Sequence, residues 1–206
     1  MAPQKKIDTI VFDLGGVLID WNPEYMYKTI FTTDAEMRWF LDNITTGHWN
    51  EEQDGGRSLA EGTEWLVQQH PAHESNIRAF YDRWVEMLKG PIDGTVEILR
   101  HLKFDTDYKL YALTNWSAET YPIAQEKYEF LHWFEGVVVS GTEKVRKPFQ
   151  PIYETLLSRF SIDPATAVYT DDNARNLAPA KELGMETIHF QSPEQFRQEL
   201  ARLGIL

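Results

Sequence analysis

Short apolar runs recur along this chain, and each ends at a polar residue or a turn. The first, residues 7–12, is apolar and β-branched, ends at Asp13 and leads into a glycine turn. Runs of this length, bounded by turn residues, are typical of buried strands. Four further runs have the same form, at residues 108–113, 136–139, 167–170 and 187–190. The pattern therefore predicts a strand at each of these places.

Helical patterns separate the predicted strands. Strands that alternate with helices indicate βαβ units, so we predict an α/β fold with a doubly wound parallel sheet and a Rossmann-like core. The helical patterns cover residues 95–102, 117–128, 149–160, 175–183 and 193–203. Ligands bind such sheets at the carboxyl ends of the strands. The polar residues that the sequence places at those ends are Asp13, Thr114, Asn115, Asp171 and Asp172.

Residues 20–90 do not follow this alternation. They contain helical patterns and no convincing strand. The helical patterns cover residues 35–41, 59–69 and 74–88. We therefore predict a helical cap domain at 20–90, inserted after the first strand, and a core domain formed by residues 1–19 and 91–206.

Most of the tryptophans lie in this insert, at positions 21, 39, 49, 65 and 84. Helical spacing predicts that most of them are core residues, with Trp39 and Trp65 on buried helix faces. Trp21 and Trp49 are candidates for the wall of a substrate pocket. The turn at Asp54-Gly55-Gly56 is a candidate for a cap loop that reaches the active site, or else a plain surface turn.

Composition narrows the function classes. The net charge of -12, from 32 acidic and 20 basic residues, disfavours non-specific binding to nucleic acid or to an anionic membrane. The absence of cysteine excludes thiolate nucleophiles and cysteine-ligated metals. No stretch is long and apolar enough to span a membrane, and the first residues lead directly into the first strand. We expect a cytoplasmic protein without nucleic-acid or membrane partners.

Four motifs occur at or after the predicted strand ends. They read Phe12-Asp13-Leu14-Gly15-Gly16-Val17-Leu18, Leu113-Thr114-Asn115, Arg146-Lys147-Pro148 and Tyr169-Thr170-Asp171-Asp172-Asn173. Asp13 is the most informative position, because a carboxylate at the mouth of a buried strand is costly unless a metal ion or an electrophile uses it. In this order the motifs resemble the haloacid dehalogenase-like (HAD) hydrolase superfamily. Within it, they look most like sugar-phosphate phosphatases and the phosphatase domain of soluble epoxide hydrolases.

The resemblance covers nearly the whole chain and implies a Mg²⁺-dependent phosphatase of a small phosphorylated metabolite, with sugar phosphates as the expected class. Asp13 would be the nucleophile, forming an aspartyl-phosphate that water hydrolyses. Lys147 would neutralise charge on Asp13 and on the phosphate, and Thr114 and Asn115 would contact the phosphoryl group. The implied magnesium ligands are Asp13, the Gly15 carbonyl and Asp172, with Asp171 as an auxiliary ligand.

One residue departs from the family pattern. Phosphatases of this superfamily usually carry a second aspartate two residues after the nucleophile, where it protonates the leaving group and activates water. Gly15 occupies that position here, and such a group is typically worth roughly 10²–10⁴-fold in rate. Because a hemiacetal leaves more readily than a simple alcohol, we hypothesise a preference for sugar 1-phosphates over sugar 6-phosphates.

Two other functions remain open. A metal-independent 2-haloacid dehalogenase also lacks that aspartate, although the Asp171-Asp172 pair would then put uncompensated charge beside Asp13. A catalytically weak family member acting as a binding module is the second alternative. The same residues also have simple structural roles, as helix caps and turn formers for the aspartates, Thr114 and Asn115, and as a surface lysine for Lys147.

Overall fold

A five-stranded parallel sheet lies at the centre of the molecule. The structure, a computed structural model, describes residues 6–206, so residues 1–5 of the predicted core segment 1–19 lie outside the described residues. In chain order the strands are β1 (Thr9–Phe12), β2 (Ile19–Trp21), β3 (Leu88–Pro91), β4 (Lys109–Thr114), β5 (Gly136–Val139), β6 (Ala167–Asp171) and β7 (Glu186–His189).

The helices fall into two groups along the chain. Between β2 and β3 lie α1 (Glu24–Tyr27), α2 (Asp34–Asn43), α3 (Gly47–Asp54), α4 (Leu59–Gln69) and α5 (Glu74–Asp82). After β3 come α6 (Asp93–Asp105), α7 (Tyr121–Lys127), α8 (Ser140–Glu143), α9 (Gln150–Arg159), α10 (Leu177–Glu182) and α11 (Pro193–Arg202). Single 3₁₀ turns occupy Pro71–His73, Trp84–Met87, Glu129–His132, Pro164–Thr166 and Ala174–Asn176.

The predicted α/β fold with a doubly wound parallel sheet is confirmed. The strand order is β5-β4-β1-β6-β7, and every neighbouring pair is parallel. Each of the predicted strands is present, with bounds that differ by no more than two residues from the apolar runs. Because β1 lies between β4 and β6, the ends of these three strands bring the loops that follow them together at one edge.

Apolar side chains on both faces of the sheet fix the position of β1. Ile10 and Phe12 belong to one core cluster, in which the rings of Phe12 and Phe196 of α11 pack edge to face with centroids 5.7 Å apart. Val11 points to the opposite face and joins a second cluster with Tyr153 of α9. A strand that is buried on both faces holds the residue at its end rigidly.

The insert departs from its prediction at both ends. No strand is predicted within residues 20–90, yet β2 pairs antiparallel with β3, with Ile19 opposite Pro91 and Asp20 opposite Gly90. Strands this short, which contain Asp, Gly and Pro, show no alternation of apolar and polar residues from which a strand could be predicted. The predicted helix over residues 74–88 is also too long. The helix ends at Asp82, and the residues after it form a 3₁₀ turn and then enter β3.

The two tryptophans predicted on buried helix faces are exposed, so that prediction is wrong. Trp39 is 52% exposed and Trp65 is 51% exposed, whereas Phe40 and Leu66 beside them are buried. Consecutive helical residues point about 100° apart, so only one of each pair faces the core. Helix α3 lies in a stretch with no predicted helix, and it begins where the Thr46 hydroxyl accepts a hydrogen bond from Trp49 N.

Candidate active site

A buried lysine lies between two carboxylates at the carboxyl edge of the sheet. The Nζ of Lys147 is 2.9 Å from Asp13 Oδ1 and 2.7 Å from Asp171 Oδ2. It also donates a hydrogen bond to the Leu113 carbonyl at 3.0 Å. Because Lys147 is fully buried, these acceptors are what allow an ammonium group to remain charged there.

The backbone after β1 fixes the carboxylate of Asp13. Its N–H donates to the Thr170 carbonyl at 2.9 Å, and Leu14 N donates to Asp13 Oδ1 at 2.7 Å. A tight turn follows, in which Gly16 N donates to the Ile19 carbonyl at 2.9 Å. In the described part of the chain, the backbone bonds of this turn leave the Gly15 carbonyl oxygen free.

Gly16 allows the turn to lie against Asp172. Its φ of +73° belongs to the left-handed region. A Cβ at this position would lie 2.2 Å from Asp172 Oδ2, well inside contact distance. Glycine at position 16 therefore lets the loops after β1 and β6 approach each other and brings Asp172 to the site.

Asp171 is buried and already has many hydrogen-bond partners. Besides Lys147, its carboxylate accepts from the Tyr169 hydroxyl, from Asn173 N at 2.8 Å and from Asn176 Nδ2 at 3.0 and 3.1 Å. Burial alone would raise the pKa of Asp171, but the Lys147 ammonium and these donors outweigh burial and lower it. Asp171 is therefore well placed to hold Lys147.

Negative charge is in excess at this edge. Asp13, Asp171 and Asp172 offer ligand atoms that lie within 4.8 Å of one another. Burial raises the pKa of Asp13 well above its usual value, and the neighbouring Asp171 adds to the rise while Lys147 opposes it. Partial burial and Asp171 likewise raise the pKa of Asp172. Three carboxylates around one ammonium are an arrangement of oxygen ligands that suits a hard divalent cation.

The second motif supplies one free donor and one structural contact. The Thr114 hydroxyl is buried and has no hydrogen-bond partner among the described residues. The Asn115 amide instead holds the third motif: its Nδ2 donates to the Lys147 carbonyl at 3.0 Å, and Lys147 N donates to its Oδ1 at 2.8 Å. One hydrogen of the Asn115 Nδ2 group stays available for a ligand.

A cavity opens beside these residues, between the strand ends and the insert. Its wall is rich in aromatic rings, and the Trp84 and Trp116 rings lie 5.8 Å apart. The residues that line it include Gly15, Trp21, Asp54, Tyr81, Trp84 and Trp116. Of the two predicted pocket tryptophans, Trp21 does line the cavity. Trp49 is instead buried in the insert, where its Nε1 donates to the Gly62 carbonyl at 2.9 Å.

Ion pairs join the insert to the loops that carry Lys147 and Asp172. Glu51 of α3 contacts the guanidinium of Arg146 at 3.1 Å and also pairs with Arg175. The Glu119 side chain accepts a hydrogen bond from Leu59 N of α4 at 2.8 Å. These contacts hold the C-terminal half of α3, including Asp54, close to the loop that carries Lys147.

The structure brings Asp13, Asp171, Asp172, Lys147 and Asn115 together. Gly15 lines the same cavity as Asn115.

The sequence predicts Trp84 as a core residue, and it predicts neither Tyr81 nor Trp116 as a pocket residue. All three line the cavity. The sequence does contain a signal for Trp116, because it lies two residues after the end of β4, where ligands bind such sheets. The turn at Asp54-Gly55-Gly56, a candidate cap loop or else a plain surface turn, reaches the cavity through Asp54. The sequence assigns Asp54 itself no role, because its approach depends on helix α3.

No helix within residues 6–206 combines the length and the apolar character that crossing a bilayer requires.

The chain is similar in sequence and in fold to known hydrolases. Residues 7–184 match the family model described as haloacid dehalogenase-like hydrolase. The chain is 26% identical over 193 residues to a sesquiterpene phosphatase of Aspergillus oryzae, covering 94% of this chain and 94% of that protein. It is 23% identical over 205 residues to a D-ribitol-5-phosphate phosphatase of Bacteroides thetaiotaomicron, covering 94% and 97% respectively. The magnesium complex of a HAD family enzyme from B. thetaiotaomicron superposes with a TM-score of 0.69 at 22% identity, over 91% of this chain and 95% of that one.

Proposed function

Because this chain belongs to the haloacid dehalogenase-like hydrolase family, we propose that it is a Mg²⁺-dependent phosphomonoesterase of a small phosphorylated metabolite. The observation that carries the proposal is that Asp13, Asp171 and Asp172 offer oxygen atoms within 4.8 Å of one another, while the buried Lys147 bridges Asp13 and Asp171. A phosphatase needs this combination, because an anionic nucleophile must approach an anionic phosphate. Both curated relatives described above are phosphatases, which supports the same reaction class.

The residues present fit a magnesium ion. Asp13, Asp172 and the free Gly15 carbonyl are the groups that would hold it, since magnesium prefers oxygen ligands. Asp171 was the auxiliary candidate, but its oxygens already accept bonds from Lys147, Tyr169 and Asn176. We therefore assign Asp171 to orienting Lys147. When bound, magnesium supplies positive charge that offsets the repulsion between nucleophile and phosphate.

The protein's own residues divide the remaining work. Asp13 attacks phosphorus and forms an aspartyl-phosphate, which water then hydrolyses. Lys147 neutralises charge on Asp13 and on the transferring group, and the unpartnered Thr114 hydroxyl donates to a phosphoryl oxygen. Asn115 fixes the Lys147 backbone and offers its second amide hydrogen to the phosphoryl group. Each group is oriented before substrate arrives, which lowers the cost of reaching the transition state.

The cavity walls indicate the class of the alcohol part of the substrate. Trp21, Trp84, Trp116 and Tyr81 line the space next to the nucleophile loop. Aromatic faces of this kind pack on sugar rings, which supports a sugar phosphate as substrate. The same apolar walls favour a second candidate, a phosphorylated isoprenoid, the class named for the A. oryzae relative.

We also propose the division into a core of residues 1–19 and 91–206 and a helical cap of residues 20–90. The pairing of Ile19 with Pro91 supports it, because the chain leaves and re-enters the core at neighbouring positions. The cap would close over substrate, exclude water and set specificity. A cytoplasmic location remains a proposal, supported by the absence of cysteine.

Phosphate release from a panel of sugar phosphates and prenyl phosphates, with and without Mg²⁺, tests the proposal. We expect turnover that EDTA abolishes and Mg²⁺ restores, and no turnover by Asp13→Asn with an unchanged circular dichroism spectrum. Release of halide from 2-haloacids in EDTA would instead establish the dehalogenase. No phosphate release from any panel member would favour a binding module. Comparing the 1- and 6-phosphates of one hexose tests the preference that Gly15 suggests.

A further inference from the structure

We infer that Asp54, at the end of helix α3 in the insert, is the catalytic acid and base that replaces the side chain missing at Gly15. The inference rests on the proposed phosphatase function and deepens it. It names a residue from the insert as a participant in the chemistry.

The first observation is that Asp54 and Gly15 line one cavity, together with Asn115 of the second motif. A Cβ built on Gly15 would have no described atom within 4 Å, so the position normally used by the acid–base group is open. Asp54 lines the same space from the insert, and it is only partly buried.

The second observation is that Asp54 is held in place. Its Oδ2 accepts a hydrogen bond from Asn50 Nδ2 at 3.2 Å. Asn50 is itself fixed, because its Oδ1 accepts from the Tyr81 hydroxyl at 3.0 Å, and Tyr81 accepts from Gln53 Nε2 at 2.8 Å. This chain of hydrogen bonds joins α3 to α5 and holds the carboxyl group of Asp54, which lines the cavity. A surface turn needs no such support.

The third observation is the electrostatic environment. Burial raises the pKa of Asp54 from 3.8 to about 7, and the negative charge of Glu51 on the same helix adds to the rise. Arg146, the Ser117 backbone and Lys147 act in the opposite direction, and Tyr81 of α5 also faces the carboxyl group. A carboxyl group with a pKa near neutrality can both donate and accept a proton at working pH.

The chemistry balances in two steps. Asp13 Oδ forms a bond to phosphorus while the ester P–O bond breaks, and the leaving oxygen takes the proton of Asp54 and departs as an alcohol. Water then bonds to phosphorus as it gives a proton to the Asp54 carboxylate. The bond between Asp13 and phosphorus breaks, which releases inorganic phosphate and restores both carboxyl groups to their starting states.

A leaving-group series tests this role. For Asp54→Asn we expect kcat/KM to fall by roughly 10²-fold or more for alkyl phosphates, whose alcohols need a proton. The loss should be far smaller for p-nitrophenyl phosphate, whose phenolate leaves unaided, and a burst of p-nitrophenolate should show slow dephosphorylation. Equal losses for both substrates, or a rise in KM alone, would overturn the inference and make Asp54 a binding residue.

Two variants sharpen the result. Glu52→Gln removes an exposed carboxylate from the same helix, which lies 3.8 Å from the Arg146 guanidinium, and should keep the wild-type leaving-group dependence. The double variant Gly15→Asp with Asp54→Asn moves the acid to the open position and should recover alkyl phosphate turnover, because the Gly15 backbone has no positive φ and its Cβ site is empty. Failure of the double variant to exceed Asp54→Asn, with both folded by circular dichroism, would count against the inference.

The unmodified protein gives a measurement that depends on no variant. Its kcat/KM for an alkyl phosphate should fall on the alkaline side of about pH 7, where Asp54 loses its proton, and the fall should be weak for p-nitrophenyl phosphate. A wild-type protein that releases no phosphate from any substrate would refute the phosphatase itself. An active wild type with identical alkaline limbs for the two substrates would refute only the role of Asp54.

Discussion

The side-chain amide of Asn115 makes two hydrogen bonds with the backbone of Lys147, at 2.8 and 3.0 Å. The pairing joins the loop after β4 to the loop before α9. Asn115→Ala would leave the Lys147 N–H unpaired in a half-buried place and the Lys147 carbonyl with only a long hydrogen bond from Arg146 Nη1 at 3.5 Å. We expect the free energy of unfolding, measured with urea, to fall by about 1–3 kcal/mol. In steady-state kinetics, we expect kcat to fall by a larger factor than the factor by which KM changes.

Asn43→Ala provides a control for that variant. The Asn43 amide makes one exposed hydrogen bond, to the Trp39 carbonyl at 2.8 Å, far from the site. Its removal should change stability by less than Asn115→Ala and leave kcat unaltered. If the two variants behave alike, Asn115 does not position Lys147.

The glycine at position 16 gives a second prediction. Gly16→Ala must adopt a φ near +73° and place a Cβ 2.2 Å from Asp172 Oδ2. The left-handed conformation costs roughly 1–2 kcal/mol for a residue with a Cβ, and the clash displaces Asp172. We expect lower stability together with weaker Mg²⁺ binding, measured by unfolding and by isothermal titration.

Gly204→Ala separates these two effects. Gly204 has a φ of +71°, almost the same as Gly16, but no described atom would meet its Cβ within 4 Å. This variant should show the backbone cost alone and retain wild-type Mg²⁺ affinity. Equal Mg²⁺ affinity in both variants would show that the approach of Gly16 to Asp172 does not matter for the metal.

Binding of Mg²⁺ should raise the free energy of unfolding. A ligand that binds only the folded state stabilises it by about 2.7 kcal/mol at a hundred times its dissociation constant. We expect the unfolding midpoint of the wild type to rise with Mg²⁺ and fall on adding EDTA, and Asp172→Asn to lose most of this response. Asp42→Asn, which removes an exposed carboxylate on α2, should respond like the wild type. An unchanged response in Asp172→Asn would exclude Asp172 as a ligand.

The features readable from the sequence are those encoded locally. The run before Asp13 marks a strand and its end, and parallel topology then predicts that Asp13 and Asp172 share an edge. The pairing of Asn115 with Lys147, 32 positions away in the chain, leaves no local mark, because an amide can pair with any backbone that the fold brings near it. The sequence names Asp54 only as part of a turn that is a candidate cap loop and assigns it no role, since α3 has little apolar patterning and the approach of Asp54 depends on ion pairs of Glu51 with Arg146 and Arg175.

Asp54 leads to a prediction about stability, with a definite sign. Its folded pKa of about 7 lies above the ordinary value of 3.8, so the folded state favours the neutral acid. Ionisation therefore destabilises the fold as pH rises between these values, by about 1.4 kcal/mol per unit or roughly 4 kcal/mol at most. Asp54→Asn, which stays neutral, should be more stable than the wild type at pH 8 and close to it near pH 4. Urea unfolding in EDTA at both pH values measures the difference, which isolates Asp54 from any metal. If the two proteins instead show a constant difference across this range, the pKa of Asp54 is not raised by folding, and Asp54 would be ionised at neutral pH with no proton to donate.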